Sequence, residues 1–164
     1  MIKDFFLFFI LGLIFLVLQS TWLAGEAINP FRPDLIFILI IFVGTLNQLG
    51  LGLILSVLLG MLVDILSWGM VGIAVILYPL IFWVFFFVWT HAIQSLAFSV
   101  ISVLVLQILY GFLVYFFLTL SKGLEFTPHQ SYLIVVQAIF TMLVSLPVFY
   151  FLKIFFGKKP SLLN

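Results

Sequence analysis

The sequence predicts an all-α integral membrane protein, a compact bundle of six transmembrane helices forming one domain over residues 1–164. Three observations predict it. The chain is 66% hydrophobic and only 7% charged, whereas soluble domains carry about 25% charged residues, so its surface cannot be solvated by water. Its apolar residues run continuously over lengths near the roughly 20 that carry a helix across hydrocarbon, without the alternation of barrel strands. Short breaks rich in Gly, Pro and polar residues separate these runs, leaving almost no chain outside the spans.

The first span is expected over 5–23. Met1 to Asp4 and the run after it resemble a secretory signal, but Asp4 balances the basic start and the apolar stretch continues through Leu23, so the segment is kept as a helix. The Asn29-Pro30 and Arg32-Pro33 pairs block helix continuation and mark a loop. The second span, 35–47, is short. Asn47, Gln48, Gly50 and Gly52 then predict a tight turn before the third span, 52–68. Gly69 and Gly72 turn the chain into 73–89, and a polar break from Trp89 to Gln94 precedes 95–120. A loop from Lys122 to Ser131 leads to the last span, 132–156.

An even number of crossings puts both termini on one side, with Lys3, Lys153, Lys158 and Lys159 as basic anchors against Arg32 and Lys122 opposite. The positive-inside rule makes that side cytoplasmic. Five crossings would follow if the second and third spans formed a re-entrant hairpin. Trp22, Trp68 and Trp89 fall near span ends, where interfacial aromatics belong. A net charge of +1 supplies no cluster for nucleic-acid phosphates, and the absence of cysteine excludes disulfides and thiolate chemistry.

From Leu35 to Ser121 the only formally charged side chain is Asp64. Placing Asp at the centre of a membrane helix costs about 2.5–3.5 kcal/mol on insertion scales, so such a residue faces a protein interior, a wet cavity or a partner. Gly52, Ser56, Gly60 and Asp64 recur every fourth position and line one helix face, where small residues let another helix approach. The competing reading is an interfacial carboxylate reaching water, but Asp is short for that. Whether the approaching helix belongs to this chain or to a partner is left open by the sequence.

Pro33 and Asp34 suit the start of the second span, the proline lacking an amide that is not needed there and the acid meeting the positive helix end. Arg32, Asp34 and Glu26 would also be placed to pair with a partner at the outer rim. Pro79 and Pro147 fall inside spans and are expected to kink them, serving packing rather than a pocket. Ser95, Ser99 and Ser102 form a stripe whose hydroxyls are expected to bond helix backbone. His91 and His129 fall in loops on opposite sides, unable to share a metal. With no Walker, HExxH, GxSxG or CxxC pattern, the sequence predicts no catalytic residues, no metal and no cofactor.

Gln19-Ser20-Thr21 ending the first span, Pro33-Asp34-Leu35 opening the second, Gly60-Met-Leu-Val-Asp64 in the third and Gly72 just after resemble the rod shape-determining protein MreD family of bacteria. The likeness in motifs runs from Gln19 to Gly72; from Tyr78 onward it is one of hydropathy alone. The resemblance implies a non-enzymatic inner-membrane scaffold or regulator of the elongasome. It would bind MreC and link MreB filaments indirectly to peptidoglycan synthesis by the RodA glycosyltransferase and a class B penicillin-binding protein. The fold also resembles the substrate-binding membrane components of energy-coupling-factor vitamin transporters. Such a subunit is the alternative function, with Glu26, Glu125 and His129 in the outer loops as its few polar candidates.

Overall fold

The computed structural model describes residues 2–21, 31–66, 72–91, 95–122 and 127–156. They form six helices, α1 (Ile2–Thr21), α2 (Leu35–Thr45), α3 (Leu49–Leu66), α4 (Ile73–His91), α5 (Leu96–Lys122) and α6 (Pro128–Phe156). No strand occurs among the described residues.

The bundle is organised around α2. Every residue from Leu35 to Gly44 is buried, as a helix that is apolar all round must be when it lies inside a bundle. Among the described residues, α2 is the one helix that packs against all five others. Around it the neighbours run α1, α3, α4, α5, α6, and α1 does not pack its backbone against α6. That seam is bridged at one end by the Phe8 and Phe156 rings, 4.9 Å apart. A single core draws on all six helices, including Phe8, Ile38, Leu55, Phe82, Val103 and Phe149.

Five helices are long and apolar enough to cross a membrane. Their outward faces carry large exposed apolar side chains such as Ile10, Ile54, Trp83, Phe116 and Tyr150, a surface that only lipid or a partner helix solvates. These are the properties of a multi-pass membrane protein. At 11 residues and 1.5 Å of rise each, α2 is shorter than the roughly 30 Å hydrocarbon core.

Several boundaries differ from those the sequence suggested. The turn after α2 occupies only Leu46, Asn47 and Gln48, because Asn47 itself takes the left-handed conformation, φ 56°, which Asn tolerates. Gly50 and Gly52 are therefore helical, not part of the turn. His91 ends α4 and His129 lies in the first turn of α6, so neither is a loop residue. Pro128 starts α6 ahead of the expected position, where its missing amide costs nothing. Ser95 stands just before α5 and accepts the Phe98 amide at 3.1 Å, an N-cap rather than a member of a span. The Ser99 hydroxyl bonds the Ser95 carbonyl at 3.2 Å. Trp89 is buried at 5% exposure, facing the bundle and not the lipid boundary. Trp22, Glu26, Trp68, Glu125, Lys158 and Lys159 lie outside the described residues.

Candidate functional site

The small-residue face of α3 packs against α4 of the same chain. At Gly52 a Cβ would stand 2.0 Å from the Phe82 ring, and at Gly60 it would stand 2.7 Å from the Ala74 carbonyl oxygen and 3.0 Å from the Val75 Cα. Phe82 is fully buried, and the atoms over Gly60 are mainly backbone, so neither place has room for a side chain. Ser56 lies between them, fully buried, its hydroxyl donating to the Leu53 carbonyl at 2.8 Å. The stripe thus allows the backbone of α4 to lie directly on α3.

Asp64 completes that contact. Its Oδ1 accepts the amide of Ala74 at 3.0 Å, and its Oδ2 accepts those of Gly72 and Val75, each at 3.0 Å. Ala74 and Val75 belong to the first turn of α4, whose amides have no partner inside the helix. The usual capping residue precedes its helix directly; here the carboxylate comes from the preceding helix. The positive end of α4 also favours the negative charge. Gly72 adopts φ +110°, open to glycine but strained for other residues. This geometry turns its amide toward Asp64. At 7% exposure the carboxylate is a structural clasp between α3 and α4.

Asp34 does comparable work for α2, α4 and α6. As N-cap of α2 it accepts the Phe37 amide at 3.0 Å on Oδ1. Its Oδ2 accepts the Tyr78 hydroxyl from α4 at 3.0 Å. Its own amide donates to the Thr141 hydroxyl of α6 at 3.1 Å, and that hydroxyl donates to the Gln137 carbonyl at 2.8 Å. Tyr110 of α5 stacks beside Tyr78, ring centroids 5.3 Å apart. Arg32 donates to the Gln19 carbonyl near the end of α1. Pro33 and Asp34 are buried, Asp34 at 4% exposure. Asp34 thus acts as the helix start the sequence suggested, with both its carboxylate oxygens engaged within the chain.

Both carboxylates lie at the end of the bundle where α1, α3 and α2 respectively finish, finish and start, away from the chain termini. The structure brings Gln19, Arg32, Pro33 and Asp34 into one cluster and Gly60, Asp64 and Gly72 into another. Sequence reasoning missed Tyr78, Tyr110 and Thr141. A phenol and a hydroxyl inside apolar runs were the available signal, because each needs a polar neighbour when buried. Lys3 and Lys153 are exposed, and Lys153 shares a cavity with Asp4 at the opposite end. Compared with family models, with curated proteins and with solved structures, the chain finds no match.

Proposed function

We propose that this chain is a MreD-type scaffold or regulator in the bacterial cytoplasmic membrane, a non-enzymatic part of the cell-elongation machinery. It binds MreC, connects indirectly to MreB filaments, and serves side-wall synthesis by RodA with a class B penicillin-binding protein. The observation that carries this reading is where the motif residues fall. Gln19, Asp34, Gly60, Asp64 and Gly72, which bear the resemblance, are the residues that clamp helix ends together within the chain. Charges used to brace a bundle, beneath outward faces that are apolar, suit a protein that presents rigid helix surfaces to other membrane proteins.

The proposed topology has six crossings, with both termini cytoplasmic. It is supported by Asp4 of α1 and Lys153 of α6 lining one cavity, which an even number of passages accommodates. In this topology α2 completes its passage inside the bundle, where its short length is covered by protein and not by lipid. The vitamin-transporter alternative wants a polar pocket at the other end, near His129. That residue is exposed, and the cavity lined by Asp4 and Lys153 opens at the termini.

Co-expression with MreC from the same genome tests the reading. A stable detergent-resistant complex is expected, and cells depleted of this chain should lose rod shape. Recovery of the folded chain without MreC, in cells that remain rods on depletion, would overturn it.

A further inference from the structure

The long helices of the bundle fall into two length classes. α1, α3 and α4 have 20, 18 and 19 residues, so at 1.5 Å per residue they are about 27–30 Å long and match the roughly 30 Å hydrocarbon core. α5 and α6 have 27 and 29 residues, about 40–44 Å, and an average tilt of about 20° takes only about 2–3 Å from that. At the end that carries the termini the two classes are level. Trp89 of α4 meets Phe98 of α5 there and Phe8 of α1 meets Phe156 of α6, ring centroids 5.9 and 4.9 Å apart. The excess therefore lies at the other end. From the level where Tyr78 and Thr141 bond Asp34 and Tyr110 stacks on Tyr78, α4 runs on for about 7.5 Å to Ile73. From the same level α5 runs on for about 18 Å to Lys122 and α6 for about 20 Å to Pro128.

The projecting parts of α5 and α6 pack closely on each other, since a Cβ at Gly111 would stand 2.6 Å from the Ile134 Cγ2. Their outward side chains stay apolar, with Phe116 58% and Leu120 69% exposed. Beyond the hydrocarbon, where lipid tails end, such a surface marks an interaction site. A groove of about 460 Å³ runs along α5, lined by Leu109, Phe112, Leu113, Phe116 and Thr119. It starts beside the level of Tyr110 and reaches about 15 Å further along the helix, past the end of α4. A lipid tail stops at the boundary and a soluble domain begins there, whereas a helix that crosses the membrane and continues beyond it follows the whole groove. α5 is itself such a helix. From Leu96 to Ser121 it carries no charged residue, so the same face of a second copy meets it without repulsion, and the shared topology gives that copy the same projection on the same side. We propose that α5 pairs with α5 of a second copy, the two groove faces meeting about a two-fold axis along the membrane normal and covering each other beyond the hydrocarbon.

The protein has no cysteine, so single thiols report this contact in native membranes. Oxidative crosslinking of Thr119→Cys, at an exposed position in the groove, should give a covalent dimer of this chain. Ile76→Cys, on the outward face of α4, should stay monomeric. Native mass spectrometry of the full chain in mild detergent should show a dimer, and Leu109→Ala with Phe116→Ala should lower its affinity roughly tenfold or more, as loss of interface anchors does. Both positions are exposed, so the double variant should stay folded. A chain that is monomeric in detergent and uncrosslinked at Thr119→Cys in membranes would overturn the proposal, as would a dimer that the double variant leaves intact, or crosslinking of Ile76→Cys in place of Thr119→Cys. A Thr119→Cys adduct with a different protein would overturn the second copy as the occupant. None of these outcomes depends on whether the chain binds MreC.

Discussion

The carboxylate of Asp64 accepts the amide of Ala74 at 3.0 Å, so a helix is capped by a side chain from the helix before it. Because the same carboxylate holds Gly72 and Val75, Asp64→Ala leaves three amides without their partner. A loss of at least about 2 kcal/mol is expected, given roughly 1–3 kcal/mol for each unsatisfied buried group and partial rescue by water. Thermal unfolding of the purified protein in detergent measures it. Asp64→Asn keeps one accepting oxygen and should fall between; parent-like stability of the Asn variant would contradict the three-bond arrangement.

Two glycines of α3 provide a matched pair. At Gly60 a Cβ meets the backbone of Ala74 and Val75, while at Gly50 it meets nothing within 4 Å. Gly60→Ala should therefore push α4 off α3 and lower the unfolding temperature clearly. Gly50→Ala should raise stability by about 0.5–1 kcal/mol, since helical glycine carries an entropic cost that alanine avoids. Equal effects at the two positions would contradict the close approach at Gly60.

Tyr78 tests the other carboxylate. Tyr78→Phe removes the donor to Asp34 Oδ2 while keeping the ring against Tyr110, so its cost isolates the hydrogen bond. A loss of about 1–3 kcal/mol is expected for a bond to a charged acceptor. Thr141→Val, which removes the acceptor of the Asp34 amide, should destabilise less because both of its partners are neutral. If the two variants are equal in stability to the parent by urea or thermal unfolding, the Asp34 cluster is not a brace.

The helical class and the six elements were legible because apolar runs and breaks report them directly. Asp64 and its stripe were legible too, since a lone charge in lipid demands a contact and small residues at every fourth position demand a near neighbour. What that contact was could not be read. The three amides belong to backbone that any sequence supplies, and the capping geometry exists only once Gly72 turns the chain back on α3. Asp34 was legible as a helix start, but its burial was not. Periodicity says nothing about α2 lying at the centre, because a helix apolar on every face has no preferred direction. The cavity wall was equally hidden, being built from the ends of α1, α2, α4, α5 and α6, far apart in sequence.

The side on which the chain ends can be measured without a background. The protein has no cysteine, so Lys3→Cys and Lys153→Cys each introduce a single thiol at an exposed position. Asp4, next to Lys3, lines the same cavity as Lys153, so both thiols should react with a membrane-impermeant maleimide from the same face. The positive-inside rule predicts a cytoplasmic position for that face from its excess of Lys in the sequence, so labelling should require permeabilised cells or inverted vesicles. Thiols reacting from opposite faces would mean an odd number of crossings and would remove α2 from the count. Both reacting in intact cells would keep the six crossings but reverse the orientation, setting Arg32 and the Asp34 cluster on the inner side.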